Sequence, residues 1–102
     1  MITSYFVFIH RPGPNWLTGK PIMEQPLDGH FQYISQLQEQ GMLILGGGFL
    51  DNTGALGVIV ADNIEQAKDI IFKDPAVKKK IVTTEIHPWF VTVSGCIKMD
   101  ET

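Results

Sequence analysis

Residues 42–61 read MLILGGGFLDNTGALGVIVA, and this stretch decides the fold. Two apolar runs, 42–50 and 55–61, flank Asp51-Asn52-Thr53-Gly54, whose residue types favour tight turns. Apolar runs on both sides of such a turn are typical of a β-hairpin. The sequence therefore predicts two antiparallel strands, in which glycines 46–48 mark a bulge or a close backbone approach.

A strand, a loop and a helix are predicted before the hairpin. Residues 2–10 alternate and are rich in aromatic and β-branched types, which predicts a strand. Residues 11–25 contain three prolines and two glycines and are predicted to be a loop. From Pro26, apolar side chains recur at helical spacing as far as Leu37, and Gly41 supplies a C-terminal stop. A first helix is therefore expected between the loop and the hairpin.

A second helix, a short turn and a last strand are predicted after the hairpin. Asp62-Asn63-Ile64-Glu65 resembles a capping box with Asp62 as the cap, and the helix behind it is expected to run to Phe72. Asp74-Pro75 ends this helix, because the residue before a proline disfavours helical backbone. Residues 76–80 then form a short turn and residues 81–93 the last strand. Pro88 cannot donate to a neighbouring strand, so this strand is expected at a sheet edge or bulged.

The predicted order β-α-β-β-α-β is that of an α+β, ferredoxin-like domain, an antiparallel sheet with two helices on one face. The first strand is apolar on both faces, one with Phe6 and Phe8 and the other with Val7 and Ile9. Because the helices cover only one face, a second copy is expected to cover the other, in a homodimer or a larger homo-oligomer. Residues 1–95 are assigned to this domain and residues 96–102 to a C-terminal tail.

Amino-acid composition and charge limit the kinds of protein that this chain can be. Apolar residues make up 44% of the 102 residues and charged residues 19%, as is typical of one folded globular domain. The formal net charge of −3 gives no electrostatic reason to expect nucleic acid. The first residues lack the basic region of a signal peptide and are too few to span a bilayer. Cys96 is the only cysteine, so no internal disulfide can form. We therefore expect a cytoplasmic protein without membrane or nucleic-acid partners.

His30 and Asp51 are the candidate catalytic residues. His30 lies in the first half of the predicted first helix, and Asp51 ends the strand that follows it. Helix and strand run antiparallel through the short turn at Gly41, so both side chains are expected at one end of the domain. An imidazole oriented by a carboxylate is a minimal general-base unit. Two structural interpretations stay open: His30 bonded to a backbone carbonyl, and Asp51 bonded to its own turn.

Three further residues are candidates for binding a substrate. Arg11 follows the first strand and would hold an anionic group, or else form a surface ion pair. Trp16 lies in the long loop and would close over a pocket, or else pack on the subunit surface. Trp89 would line an aromatic pocket, or else pack in the core or an interface.

A metal site is not expected from the sequence. His10 and His87 would join His30 as ligands, but the sequence has no metal-ligand spacing such as H-x-x-x-H. We therefore predict neither a metal nor another cofactor. Asp74 is interpreted as a residue that ends a helix or forms a turn.

Taken together, these features resemble the YCII-related (YciI-like) family of the dimeric α/β barrel superfamily. The resemblance covers residues 3–93, and its matching pieces are His30, residues 41–51, Gly54, residues 64–67, Asp74-Pro75 and His87-Pro88-Trp89. It implies that the open faces of two sheets pack together, and that a His-Asp pair, matched here by His30 and Asp51, forms the active site. The chain departs from the family pattern at Gly47-Gly48, where a Gly-Pro is usual, and in its long loop before His30.

The resemblance also suggests a reaction class. A few relatives are lyase- or dehalogenase-like, including one that removes chloride from a chlorinated hydroxyhydroquinone, and the superfamily includes muconolactone isomerase-like enzymes. We therefore expect a small cofactor-independent lyase, isomerase or dehalogenase that acts on a small cyclic or aromatic substrate. In this hypothesis His30 moves the proton and Asp51 holds its ring. The alternative is a non-catalytic ligand-binding or accessory domain with the same pocket.

Overall fold

A computed structural model describes residues 4–95 of the chain. These residues form a four-stranded sheet, three α-helices and one short 3₁₀ helix. In chain order the elements are β1 (Ser4–Pro12), the 3₁₀ helix (Ile22–Glu24), α1 (His30–Glu39), β2 (Leu43–Gly48), β3 (Ala55–Ala61), α2 (Ile64–Phe72), α3 (Pro75–Lys78) and β4 (Val82–Trp89).

The sheet confirms the predicted ferredoxin-like α+β fold. Its strand order is β2-β3-β1-β4, and every neighbouring pair is antiparallel. Phe6 and Phe8 of β1 are buried with Leu37 of α1 and Ile71 of α2 in one core cluster. The helices therefore pack on the sheet face that carries these two phenylalanines, and Val7 lies on the opposite face.

Helix α1 begins at His30, four residues after the predicted start at Pro26. Leu27 packs instead against a separate cluster of Ala76, Ile81 and Val82. Gly29 caps the helix in a left-handed conformation, with φ of 83°, which glycine adopts without steric cost. The burial of Leu27 thus keeps the preceding residues out of the helix and makes His30 its first residue.

The cap of α2 lies one residue later than predicted, at Asn63 rather than Asp62. The Asn63 side chain accepts a 2.8 Å hydrogen bond from the backbone N–H of Gln66. The Gln66 side chain in turn accepts from the backbone N–H of Asp62 at 2.6 Å. This pattern resembles a capping box in which Gln66 replaces the predicted Glu65, but the Gln66 side chain bonds the N–H of Asp62, the residue before the cap, and not that of Asn63. A short helix, α3, stands where only a turn was predicted.

Strand β4 is an edge strand, as the proline predicted. It pairs with β1 alone, and Pro88 lies opposite Phe6 in that pairing. The strand ends at Trp89, before the predicted end at residue 93. Cys96 and the tail 96–102 lie outside the described residues.

No helix within residues 4–95 is long and apolar enough to cross a membrane. The longest, α1, has 10 residues, whereas a spanning helix needs about 20. The cytoplasmic location stays a prediction.

Candidate functional site

The carboxylate bonded to His30 is Asp74. Its oxygens Oδ2 and Oδ1 lie 2.7 and 2.9 Å from His30 Nδ1. Asp74 is also the N-cap of α3, and its Oδ1 accepts a 2.9 Å hydrogen bond from the backbone N–H of Ala76. The start of α1 is held close to α3, since a Cβ on Gly29 would lie 3.2 Å from a Pro75 side-chain carbon. Packing between these two helix starts therefore brings His30 and Asp74 together.

The geometry assigns the proton on the His30 ring. A carboxylate accepts hydrogen bonds only, so Nδ1 carries the hydrogen and Nε2 keeps a free lone pair. Asp74 is 1% exposed, whereas the His30 side chain keeps 14% of its surface exposed. A buried carboxylate that orients an imidazole and stabilises its protonated form is the arrangement of a general base.

His30 faces an apolar cavity of about 210 Å³. Its side-chain walls come from the core, α1 and the 3₁₀ helix, namely Phe8, Ile22, Phe31, Ile34 and Leu43, and His10 also lines it. Glycines 46–48 of β2 line it as well, and a Cβ on Gly46 or Gly48 would lie 3.7 Å from Leu43 or 3.5 Å from Ile22, against two of these walls. The β2 bulge lies between Leu43 and Leu45 instead. The glycine run therefore leaves room for a ligand rather than marking the bulge.

His10 is a second buried histidine beside this pair, and it is 3% exposed. Its Nδ1 lies 2.6 Å from the hydroxyl of Thr84, and its ring centroid lies 6.1 Å from that of His30. Its Nε2 is 3.9 Å from Asp74 Oδ2 and has no hydrogen-bond partner among residues 4–95. Burial lowers the pKa of His10 to about 4, against the opposing effect of Asp74, while His30 lowers it further. His10 is therefore neutral at pH 7.

This shift predicts acid sensitivity. The pKa of His10 falls from 6.5 in the unfolded chain to about 4 in the folded protein, so the unfolded chain binds more protons between these values. The free energy of unfolding should therefore decrease as the pH falls from 6.5 toward 4, with a contribution from His10 of about 3 kcal/mol. Urea unfolding of the wild type and His10→Gln across this range measures it. Parallel pH dependences of the two proteins would contradict the assignment.

The structure does not make Asp51 the partner of His30, so the predicted pair is corrected to His30–Asp74. Asp51 lies exposed in the β2–β3 turn, and its Oδ1 accepts from the hydroxyl and the backbone N–H of Thr53. These two hydrogen bonds lower the pKa of Asp51. The carboxylate is thus satisfied within its own turn, as the alternative interpretation had it.

Arg11 lies on the opposite sheet face and takes the ion-pair alternative. Its Nη2 and Nε lie 2.8 and 2.9 Å from Glu85 Oε1. His87 Nε2 lies 2.7 Å from Glu85 Oε2, and the His87 and Arg11 contacts lower the pKa of Glu85. Trp89 is 46% exposed and lies beside Tyr5 on this same face. None of these side chains is among those lining the cavity at His30, as far as residues 4–95 show.

Trp16 does lie near the pair. It lines a small cavity of about 20 Å³ together with His10 and His30. The loop that carries Trp16 is held by Gln25, whose buried side chain bonds the backbone of Leu17 and Lys20. Within the described part of the chain, no group of three or more His, Cys, Asp or Glu side chains is placed to hold a metal ion.

The topology contained a signal for Asp74. In the order β-α-β-β-α-β the two helices run antiparallel, so the start of α1 and the end of α2 lie at the same end of the sheet. The last residues of β1 and the first residues of β4 also lie at this end, where His10 pairs with Thr84. Asp74 follows α2 directly. A search for a carboxylate at this end of the sheet would have included Asp74 as well as Asp51.

The fold and the site together define a class: a ferredoxin-like α+β domain with a histidine–aspartate pair beside an apolar cavity. The chain belongs to the YCII-related domain family, whose model matches residues 4–90, and the predicted resemblance is confirmed. It is 33% identical over 66 residues to the uncharacterized protein YjpA of Bacillus subtilis (strain 168), which is 65% of this chain and 78% of that protein.

A solved structure shares the fold. It is the 5-chloro-2-hydroxyhydroquinone dehydrochlorinase TftG from Burkholderia phenoliruptrix AC1100, in complex with 2,5-dihydroxybenzoquinone. The TM-score is 0.62 at 18% identity, and the match covers 84% of this chain and 93% of that chain. At this identity the likeness concerns the fold alone.

Proposed function

We propose that this protein is a small cofactor-independent enzyme that moves a proton on a small cyclic or aromatic molecule, in a lyase, isomerase or dehalogenase reaction. The observation that carries the proposal is the hydrogen bond from His30 Nδ1 to the buried Asp74 carboxylate, at 2.7 Å, at the edge of an apolar cavity. His30 acts as the base and Asp74 replaces Asp51 as the group that orients it.

The arrangement supports one proton transfer to His30. Nε2 takes a proton from the substrate, and the Asp74 carboxylate stabilises the imidazolium that forms. In an elimination of hydrogen chloride from a chlorinated hydroxylated ring, a hydroxyl proton first moves to the carbon that bears chlorine, which gives the keto tautomer. His30 then removes the proton of another ring hydroxyl, the electron pair of that O–H bond moves through the ring to the chlorinated carbon, and chloride leaves with its own bonding pair. The imidazolium afterwards releases its proton to solvent. In an isomerisation, His30 returns the proton to another atom of the same molecule. Neither reaction requires an oxidant or a reductant.

The cavity lining indicates the substrate class. Its walls are apolar, and no lysine, arginine, aspartate or glutamate is among the described residues that line it. An uncharged ring fits these walls better than a carboxylate or a phosphate, because a buried anion needs a cationic or multiply hydrogen-bonded site. The hydroxyquinone bound to the TftG structure is a small ring with hydroxyl groups, and it supports the choice of hydroxylated rings as first substrates.

The test is turnover of 5-chloro-2-hydroxyhydroquinone, followed by chloride release, together with binding of 2,5-dihydroxybenzoquinone, followed by absorbance. His30→Ala should reduce chloride release by about 100-fold or more, the usual contribution of a general base. His87→Ala is the matched control, since His87 lies on the opposite sheet face beside Glu85, and it should retain the wild-type rate.

The outcomes separate the two hypotheses. Turnover that depends on His30 supports the enzyme. Binding of the quinone by the wild type without turnover of any hydroxylated ring supports the non-catalytic ligand-binding domain. Absence of both binding and turnover contradicts the proposed substrate class.

We also infer that the open sheet face joins two copies in a homodimer. Tyr5 is 40% exposed there and Trp89 46%, beside the exposed Ile44 and Leu45. Burial of apolar surface of this kind stabilises association by about 25 cal/mol per Å².

Light scattering at micromolar concentration is expected to give the mass of a dimer. Leu45→Lys, which places a charge on this face, should give the monomer mass. Met23→Lys is the control, because Met23 is exposed on the 3₁₀ helix, which lies at the opposite sheet face beside Gly48, and it should leave the dimer intact. A wild type that is monomeric throughout would refute the dimer.

A further inference from the structure

Asp74 faces two imidazoles but bonds only one of them. His30 Nδ1 and the backbone N–H of Ala76 donate to the carboxylate at 2.7–2.9 Å. His10 Nε2 lies 3.9 Å from Oδ2, which is beyond hydrogen-bond distance. Asp74 is nevertheless a charged group within 4 Å of Nε2, and Nε2 has no hydrogen-bond partner among residues 4–95. A buried polar atom left in this way requires a physical explanation.

The surroundings decide which His10 nitrogen carries the hydrogen. A neutral imidazole has one N–H and one lone pair. A lone pair on Nε2 would point toward the Asp74 carboxylate and be repelled by it, whereas an N–H there is attracted. The Thr84 hydroxyl, 2.6 Å from Nδ1, can donate to that nitrogen. The stable form of His10 is therefore neutral with the hydrogen on Nε2.

We propose that His10 is a positioning residue for the His30–Asp74 pair. Its Nε2–H faces the Asp74 carboxylate and stabilises the ionised form, so that the negative charge of Asp74 interacts with both His10 and His30. The proposal rests on the proposed function, in which His30 is the base. By interacting with Asp74, His10 limits how strongly the Asp74 carboxylate favours protonation of His30. The proposal also assigns different tasks to two histidines whose ring centroids are 6.1 Å apart. His30 exchanges the proton, and His10 stays neutral.

The charged and titratable groups around His10 come from two elements, Asp74 at the start of α3 and His30 at the start of α1. Tyr33, farther along α1, is influenced by Asp74, and its hydroxyl donates to the Ile70 carbonyl. Burial and the nearby carboxylates raise the pKa of Tyr33 above 10, so Tyr33 stays neutral through the range in which histidines titrate. A change in the titration of His30 on replacement of His10 therefore reports on Asp74.

Two substitutions separate the hydrogen-bond donor from the bulk of the ring. In glutamine the side-chain nitrogen is three bonds from Cβ, as Nε2 is in histidine, so His10→Gln keeps a donor toward Asp74. His10→Phe keeps an aromatic ring against Phe8, whose centroid lies 4.9 Å from that of His10, and has no donor. Without this donor, the Asp74 carboxylate interacts more strongly with protonated His30 and stabilises it. The midpoint of the His30 titration should therefore rise.

The experiment is ¹⁵N NMR of the histidine side chains in the full chain as a function of pH. In the wild type at pH 7 we expect His10 to be neutral with the hydrogen on Nε2. In His10→Phe the midpoint of the His30 titration should rise by about 0.5 pH unit or more, and in His10→Gln it should stay near the wild-type value. His87, beside Glu85 on the opposite sheet face, is observed in the same spectra and serves as the internal control.

Three results would overturn the proposal: a wild-type His10 with its hydrogen on Nδ1, no change of the His30 midpoint in His10→Phe, or equal changes in both variants. The wild-type spectrum decides even if neither variant folds. The NMR measurement needs no substrate, so it is independent of the turnover assay. If NMR finds the His10 hydrogen on Nε2 but no turnover is observed, only the proposed function is refuted. If the enzyme is active but the His10 hydrogen is on Nδ1, only the proposed role of His10 is refuted.

Discussion

Asp74→Ala is expected to lower the free energy of unfolding by about 3 kcal/mol or more. The substitution removes a carboxylate that is 1% exposed, together with the cap of α3 and the hydrogen bond of His30. The cap alone is worth about 1 kcal/mol, and the N–H of His30 is left without its acceptor. Asp69→Ala is the control, since Asp69 forms an exposed pair with Lys73 worth less than about 1 kcal/mol. Urea unfolding measures both.

Asp74→Asn separates the cap from the chemistry. Asparagine keeps an oxygen that can accept from the backbone N–H of Ala76, so the loss of stability should be about 1 kcal/mol. Its amide has no negative charge to stabilise a protonated His30, and turnover should fall by about 100-fold or more. An Asp74→Asn protein with wild-type turnover would show that Asp74 serves the fold and not the reaction.

Gly54→Ala is expected to destabilise the protein by about 3 kcal/mol or more. Gly54 has φ of 144°, a conformation that side chains with a Cβ rarely adopt. The added Cβ would also overlap the backbone oxygen of His10. The backbone of β1 at His10 must then shift, so the substitution should disturb the site as well as the hairpin.

Gly47→Ala provides the matched control for the hairpin. Gly47 lies on the facing strand β2, and a Cβ there meets nothing within 4 Å. Thermal unfolding should show a large decrease of the midpoint for Gly54→Ala and a small change for Gly47→Ala. Equal effects of the two substitutions would mean that the close approach of Gly54 to His10 contributes no specific constraint.

Most of the fold could be predicted because its signals are local. The alternation in β1 placed Phe6 and Phe8 on the buried face, and both are buried. The turn residues 51–54 placed the hairpin, and Pro88 placed β4 at the edge. The late start of α1 has a tertiary cause: Leu27 packs against Val82 and its neighbours, and a contact between segments that are distant in sequence overrides local helical spacing.

The candidate site could be predicted only in part. The element order predicted that His30 lies at one end of the sheet, and His30 does lie beside a cavity. The carboxylate partner of His30 could not be predicted, because two aspartates lie near this end of the sheet and local sequence patterns do not show which of them contacts the histidine. Asp51 stands in a turn where Thr53, two residues away, satisfies it. Asp74 stands where α3 packs against the start of α1.

The sequence by itself determined the order of the elements, the apolar faces of the strands, the hairpin and the presence of a histidine in the first half of the first helix, because periodicity and turn chemistry act between near neighbours. Only the tertiary structure decided which carboxylate meets that histidine. The contact from His30 to Asp74 spans 44 positions in the chain and depends on the packing of α1 against Pro75. Burial then gives the pair its chemical character, since it removes the water that would otherwise bond Asp74 and leaves His30 and His10 as its neighbours.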